Sequence, residues 1–478
     1  MSVSEPRKEF SNSIQIRAKE LSLDDEDWPC SEDRLERHRE IENISPVLLN
    51  AQAPLVFAVD APWGGGKTTF FRLWQKYLKK DGKESLYLNA WENDFAEDPL
   101  LPMLSTLDKW LGREEKDSAC KRAWEKAKTY APGIVKATAV AATKAATFGV
   151  LDLEKEYEKL AAEVTGGAVD SLIDSFNVKQ KSLEKFKEQL GLALEALPEN
   201  QKNLIVFVDE LDRCKPTYAI DVLERIKHLF DVERLVFVLA INRDQLSKSF
   251  QGVYGPSFDG LNYLKRFIDL DYQLNVPKID SYVNAKVKHE EFVKLLQGRP
   301  SDARDYDFGG LIIGDLAKRF QYTPRDIDQF ITRLSLVLRS IPTNHYLDTP
   351  ILLALMFLRQ GNPELYYRYV NNPMCANEVI EFLLDSSVEA AKMAHHLAVV
   401  AGQLISVNND PYNNSRENTE ALLAPWRRRF EGLEPRNEMR DRIEVIIELS
   451  IKSSIRRREL HRLAFDRIEL VNTIDINM

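Results

Sequence analysis

The sequence predicts an α/β fold built on a parallel sheet, and three stretches predict it. Residues 55–69, LVFAVDAPWGGGKTT, pass from an apolar strand through a glycine-rich loop into a helical pattern. Leu204 to Val208, LIVFV, reads as a second buried strand and runs into two carboxylates, Asp209 and Glu210. Leu235 to Ala240, LVFVLA, reads as a third and ends in Ile241-Asn242-Arg243-Asp244. Short unbroken apolar runs separated by helical patterns belong to strands covered on both faces.

The first stretch has the chemistry of a phosphate-binding loop. After Leu55–Val59 the chain breaks at Asp60-Ala61-Pro62, and Trp63 precedes Gly64, Gly65 and Gly66. Glycines let backbone N–H groups curl round a phosphate chain without side-chain clash. The helix opening near Lys67 adds unpaired N–H groups and a positive dipole end. Lys67 would reach the β and γ phosphates, and the Thr68 hydroxyl, beside Thr69, would ligate Mg2+. Phe70, Phe71, Leu73, Trp74 and Leu78 then recur at helical spacing. One position departs from G-x-x-x-x-G-K-[ST]: Ala61 stands where the first glycine belongs, a turn alanine makes at negative φ.

The second stretch is the companion motif. Asp209, at the end of its strand, would hold Mg2+ directly or through water, and Glu210 would polarise the attacking water as general base. A solvated acidic turn explains such a pair alone, but less well when Lys67-Thr68 precedes it on another buried strand. On the third strand, Asn242 is placed to sense the γ-phosphate.

Composition bounds the remaining choices. The chain has 478 residues, with 44% hydrophobic and 29% charged, the balance of a globular protein with a large core. A net charge of −9 argues against a protein that coats nucleic acid through overall positive charge. Cys30, Cys120, Cys214 and Cys375 are far apart, so neither a zinc site nor a disulfide framework is indicated. Free thiols and the missing signal peptide point to the cytoplasm.

In chain order, residues 1–45 form a polar segment whose end, Ser31 to Ile44, has a helical pattern suited to packing near the base of the nucleotide pocket. Residues 46–278 form the α/β core. Within it Ser85 to Trp91, SLYLNAW, is a short strand, and about residues 100–200 are a helical insertion rich in Ala, Lys, Glu and Leu. Gly133 to Val150 has the length of a membrane span, but Lys136 and Lys144 interrupt it, each costing roughly 2.5–3.5 kcal/mol at the bilayer centre. A non-spanning Ala-rich helix is favoured, and the membrane disfavoured as a partner. Lys215 to Phe230 and Leu261 to Phe267 read as helices, and Ile268 to Val276 as the last strand. A helical lid over 279–340 and a C-terminal helical domain over 341–478, with a break at Gly361-Asn362-Pro363, complete the chain.

PWGGGKTT at 62–69, LNAWEND at 88–94, FVDELDRC at 207–214, FVLAINRD at 237–244, YLKRF at 263–267 and TPRDIDQF at 323–330 together resemble the KAP family of P-loop NTPases over roughly residues 45–335. The resemblance implies an ASCE-type ATPase core that takes ATP and Mg2+, with the sensor strand between the phosphate-loop and acidic strands. Many members carry transmembrane helices in the insertion, which looks soluble in this sequence. Members often have Asp at the position of Asn242. The resemblance implies a bacterial setting, in systems that exclude phages or act beside partner effectors.

Three arginines carry competing roles. Arg266 lies where related oligomeric ATPases present a finger to a neighbour's γ-phosphate, a role worth on the order of 10³–10⁵ in rate; Lys265 is the adjacent alternative and a solvated helix end the bland one. Arg325 falls in the first turn of a helix with Thr323 as N-cap, Pro324 at the first position and Asp326 closing the cap. There it serves either as a lid arginine for a phosphate or in a salt bridge. Arg213 ties the 209–212 loop to a neighbouring element. Trp426 to Arg429 and Arg456 to Arg458 could engage nucleic acid, but interleaved carboxylates favour a solvated face. The resulting expectation is an ATPase that couples nucleotide state to assembly with itself or a partner protein through its helical regions. A nucleotide-gated interaction module with little hydrolysis, or an ATP-dependent nucleic-acid binder, stands as the alternative.

Overall fold

The computed structural model describes residues 28, 33, 35–112, 118–147, 166–195, 197, 200–275, 279–287, 305–342, 345, 347–384, 395–407, 424, 445 and 457–472. Their contacts divide them into two compact units, one within Leu21–Val276 and the other within Pro277–Met478.

In the first unit the apolar runs become strands β1 (Leu55–Asp60), β2 (Ser85–Asn89), β3 (Leu204–Asp209), β4 (Leu235–Ile241) and β5 (Leu270–Gln273). They form one sheet in the order β2-β3-β4-β1-β5, with every neighbouring pair parallel. β4 therefore lies between β1 and β3, as the resemblance to ASCE proteins implied. All of β3 and β4 is buried, which is why both read as unbroken hydrophobic runs.

The two-residue period of each strand sorts side chains onto two faces. Phe57, Val59, Ile205, Phe207, Val236 and Val238 pack under helices α1 (His38–Asn50) and α2 (Lys67–Lys80). Phe207 is the hub, with its ring centroid 4.9 Å from Phe71 and 5.4 Å from Trp74 of α2. Val56, Ala58, Val206, Val208, Phe237 and Leu239 face the other way. They meet α3 (Leu100–Leu111), α4 (Ser118–Thr147), α5 (Gly166–Leu194), α6 (Pro216–Leu229) and α7 (Arg243–Tyr254). Helix α8 (Gly260–Leu264) follows α7.

The insertion is α3, α4 and α5, with α4 and α5 packed on one another. Among the described residues no helix is long and apolar enough to cross a membrane. The Ala-rich stretch reaches Thr147 in α4, and its last residues lie outside the described ones.

Several boundaries differ from the sequence reading for local reasons. β2 stops at Asn89, not Trp91, because the Asn89 Oδ1 accepts from the N–H groups of Trp91 and Glu92 and starts a 3₁₀ turn. β5 is only four residues long and pairs with β1 alone at the sheet edge. The N-terminal helix begins at His38 instead of Ser31, since the Asp33 carboxylate accepts from the backbone N–H groups of Arg37 and His38.

The second unit is helical where it is described: α9 (Ile279–Val287), α10 (Asp305–Arg319), α11 (Pro324–Ser340), α12 (Thr349–Gly361), α13 (Pro363–Asn371), α14 (Ala376–Leu384), α15 (His395–Ser406) and α16 (Arg457–Asn472). Helix α11 opens with the capping box read from the sequence, Thr323 and Asp326 each bonding the other's backbone N–H. The break at Gly361-Asn362-Pro363 separates α12 from α13, with the Asn362 side chain capping Leu365 N. The run from Trp426 to Arg429 lies outside the described residues.

Candidate nucleotide site

The carboxyl ends of β1, β3 and β4 carry the 62–69 loop, Asp209 and Glu210, and Asn242, at the end of the sheet where ligands bind in open parallel α/β folds; Arg266 and Arg325 are not among them. Gly64 and Gly66 hold positive φ of 79° and 89°, and Gly66 is the N-cap of α2. A Cβ on Gly65 would stand 3.0 Å from the Pro62 carbonyl oxygen and 3.2 Å from the Ala61 Cβ. The loop is thus a cradle that side chains would fill, and its backbone fits a phosphate chain. Ala61 is buried at the first-glycine position and donates its N–H to Ile241 O, so the departure from the motif is absorbed at the β1–β4 pairing.

Lys67 is 9% exposed. Its Nζ donates to Ala61 O at 2.7 Å and lies 3.4 Å from Asp212 Oδ2. Burial pulls its pKa down, and the Asp212 carboxylate, helped by Asp209 and Asp60, works against that shift. Thr68, next in the helix, is exposed, and Thr69 is half-buried.

Asp209 is buried. Its Oδ1 accepts from Glu210 N at 2.8 Å and its Oδ2 from the Tyr87 hydroxyl at 2.9 Å. Tyr87 is in turn covered by the Arg72 guanidinium, 3.7 Å from its ring centroid. An oxygen donor set of Thr68 and Asp209, completed by water and phosphate, is what Mg2+ takes. These residues would hold the ion.

Glu210 has a left-handed backbone, φ 59°, where a non-glycine residue is strained. Both of its carboxylate oxygens are engaged. Arg213 Nη1 reaches Oε1 at 2.7 Å, and Asn89 Nδ2 donates to Oε2 at 3.2 Å. Burial raises the Glu210 pKa, Arg213 and the Asn89 bond oppose the rise, and Asp209 adds to it. Arg213 thus closes back on its own loop, and its guanidinium lies 5.5 Å from the Trp91 ring centroid.

Asn242 follows β4 and caps α7, its Oδ1 accepting from Gln245 N. Arg266 is exposed beyond α8, its guanidinium 5.7 Å from the Tyr263 ring centroid, with no ion pair to it among the described residues. Lys265, also exposed, donates to Asn262. Arg325 belongs to the second unit, exposed in the first turn of α11. Pro62 and Trp63 are exposed on the loop, and the Trp63 indole N–H donates to Asp212 Oδ2 at 2.9 Å.

Asn89, Tyr87 and Asp212 were given no task by the sequence reading. Asn89 had a signal, being the polar residue that ends a strand, and it pairs in register with Asp209. Tyr87 and Asp212 had none, since only the fold brings one beside Asp209 and the other beside Lys67. The N-terminal segment does meet the loop: a Cβ on Gly66 would lie 3.4 Å from Leu35 Cδ1.

Residues 37–341 match the KAP family P-loop domain. The phage T7 exclusion protein of Escherichia coli (strain K12) is 24% identical over 353 residues, covering 71% of this chain. This chain spans 46% of that relative's length, about half. The Aeropyrum pernix ORC2 protein in its ADPNP–ADP complexes aligns over 92% of this chain and 95% of its own at 12% identity, with a TM-score of 0.31. Its ADP form aligns over 92% and 93%, at 12% identity and a TM-score of 0.28. Those overlaps are too loose to argue from.

Proposed function

Given that the chain belongs to the KAP family of P-loop NTPases, we propose that it binds ATP with Mg2+ at the 61–69 loop and hydrolyses it. The nucleotide state would then control assembly or recruitment of a partner protein, in a setting of phage exclusion. The observation that carries this is that Lys67 of the phosphate loop lies 3.4 Å from Asp212, in the turn that follows Asp209 and Glu210, so the glycine-rich loop and the acidic strand end meet. Magnesium, when bound, neutralises phosphate charge. The chain's own part is to wrap the phosphates with the loop N–H groups, hold the ion with Thr68 and Asp209, and take a water proton on Glu210. Asn242 directly follows the strand between them, a position suited to orienting that water. The similarity to a phage T7 exclusion protein supports the biological setting.

A second reading has one observation in its favour. Glu210 is held at both oxygens, by Arg213 and Asn89, so the protein acts as a nucleotide-gated switch whose hydrolysis waits for a partner to free that carboxylate. ATP turnover per subunit, measured across protein concentration with Lys67→Ala beside the wild type, tests the proposal. Turnover abolished by Lys67→Ala supports a hydrolytic site, and a rate climbing with concentration assigns Arg266 a role in a neighbour's site. Equal rates in the two proteins would refute it.

A further inference from the structure

Asp212 takes no part in the hydrolytic scheme, yet its side chain is 1% exposed and one of its oxygens collects two donors from the phosphate loop. Oδ2 accepts from Trp63 Nε1 at 2.9 Å and lies 3.4 Å from Lys67 Nζ. Lys67 is the group that reaches the terminal phosphates. A carboxylate that accepts from both this ammonium and the Trp63 indole therefore stands at the terminal-phosphate end of the loop. Two physical consequences follow. A further phosphate brings negative charge toward a buried carboxylate, where repulsion is screened least. That phosphate also competes with Asp212 for the one ammonium. A diphosphate, one phosphate shorter, does less of both.

We propose that Asp212 is a specificity-determining residue through which the site distinguishes a nucleoside triphosphate from a diphosphate. Its charge opposes the terminal phosphate, and its partner Trp63 shifts when that phosphate takes over Lys67. Asp212 directly precedes Arg213, the residue that pairs with Glu210 Oε1. A displacement of Asp212 is thereby felt at the catalytic carboxylate. The inference rests on the nucleotide-binding reading given above.

Asp212→Asn tests it, because the amide keeps the size and an acceptor for Trp63 while removing the charge. Dissociation constants are measured by calorimetry for a non-hydrolysable ATP analogue and for ADP, each with Mg2+. Tryptophan emission is recorded in parallel, with Trp63→Phe as the optical blank. The expected result is triphosphate binding tightened on the order of tenfold, with diphosphate binding changed by less than about twofold. In the wild type, the part of the emission due to Trp63 changes with the triphosphate analogue and not with ADP. Equal changes in both affinities, or equal emission changes with both nucleotides, would overturn the role of Asp212. If Asp212→Asn does not fold, the wild-type emission comparison decides alone. A wild type that binds neither nucleotide overturns the nucleotide reading itself, a failure distinct from one that binds both without discrimination.

Discussion

Arg37 fastens the segment that lies against the phosphate loop, and its removal has a calculable cost. Its guanidinium is 2% exposed and sits 3.0 and 3.2 Å from the two Glu40 oxygens. Nη2 donates to Asn275 O at 2.9 Å, near the end of the first unit. Two residues before Arg37, Leu35 faces Gly66. Replacing Arg37 with Met keeps the bulk and strands the Glu40 carboxylate. Stranding one member of a buried pair costs about 3–5 kcal/mol. Glu40 is 18% exposed and keeps a bond from Asn275 Nδ2, so the cost falls below that range, at about 2–3 kcal/mol. In Arg37→Met/Glu40→Gln the stranded charge is gone. What remains is one lost bond to Asn275 O, about 1 kcal/mol. Hydrogen exchange of the α1 amides measures the local opening directly, without assuming that both units unfold together. Arg37→Met should exchange faster by roughly 30- to 150-fold, and the double variant should recover most of that protection. Wild-type protection in Arg37→Met, or no recovery in the double variant, would refute the pairing as described.

Three further outcomes follow from the same geometry. Phe207→Ala removes a fully buried ring between Phe71 and Trp74 and should destabilise the first unit by about 3–5 kcal/mol, read by urea denaturation; a loss under about 1 kcal/mol would contradict that packing. Phosphate favours the charged form of Lys67, whose pKa lies below 10.5. Nucleotide affinity should therefore be full below that lowered pKa and fall as pH rises through it, and affinity that stays flat into alkaline solution would count against Lys67 as the phosphate ligand. Glu210 must be ionised to act as a base and its pKa is raised above 4.5, so turnover should fall as pH drops through that raised value. Arg213→Ala removes an opposing charge and should move this acid limb to higher pH; an unmoved limb would separate Arg213 from Glu210.

The sequence made the sheet legible because β3 and β4 are buried end to end, leaving continuous apolar runs that end in functional side chains. The phosphate loop was legible because a backbone cradle demands glycine, whatever the rest of the chain does. Side-chain caps were harder to see. Asn89 ends β2 early and Asp33 delays α1, each by replacing a backbone partner with a carboxylate or amide oxygen. The ties that hold the site were hidden for another reason. Trp63 and Asp212, or Tyr87 and Asp209, are far apart in the chain, and only the parallel order of β2, β3, β4 and β1 brings them together. Arg213, expected to tie its loop to a neighbouring element, stands 5.5 Å from the Trp91 ring and also pairs with Glu210 in its own turn, a bond the sequence did not suggest.

Glu210→Gln offers the most direct test of a hydrolytic centre at the carboxyl edge of β1, β3 and β4. The substitution keeps the size of the side chain and an oxygen that can accept from Arg213 or Asn89, and it removes the base. ATP bound and ATP hydrolysed per subunit are measured on the same samples. The variant should bind ATP nearly as the wild type does and hydrolyse it slower by on the order of 10²-fold or more. Hydrolysis by Glu210→Gln at the wild-type rate would contradict the assignment of Glu210 as the water-activating base.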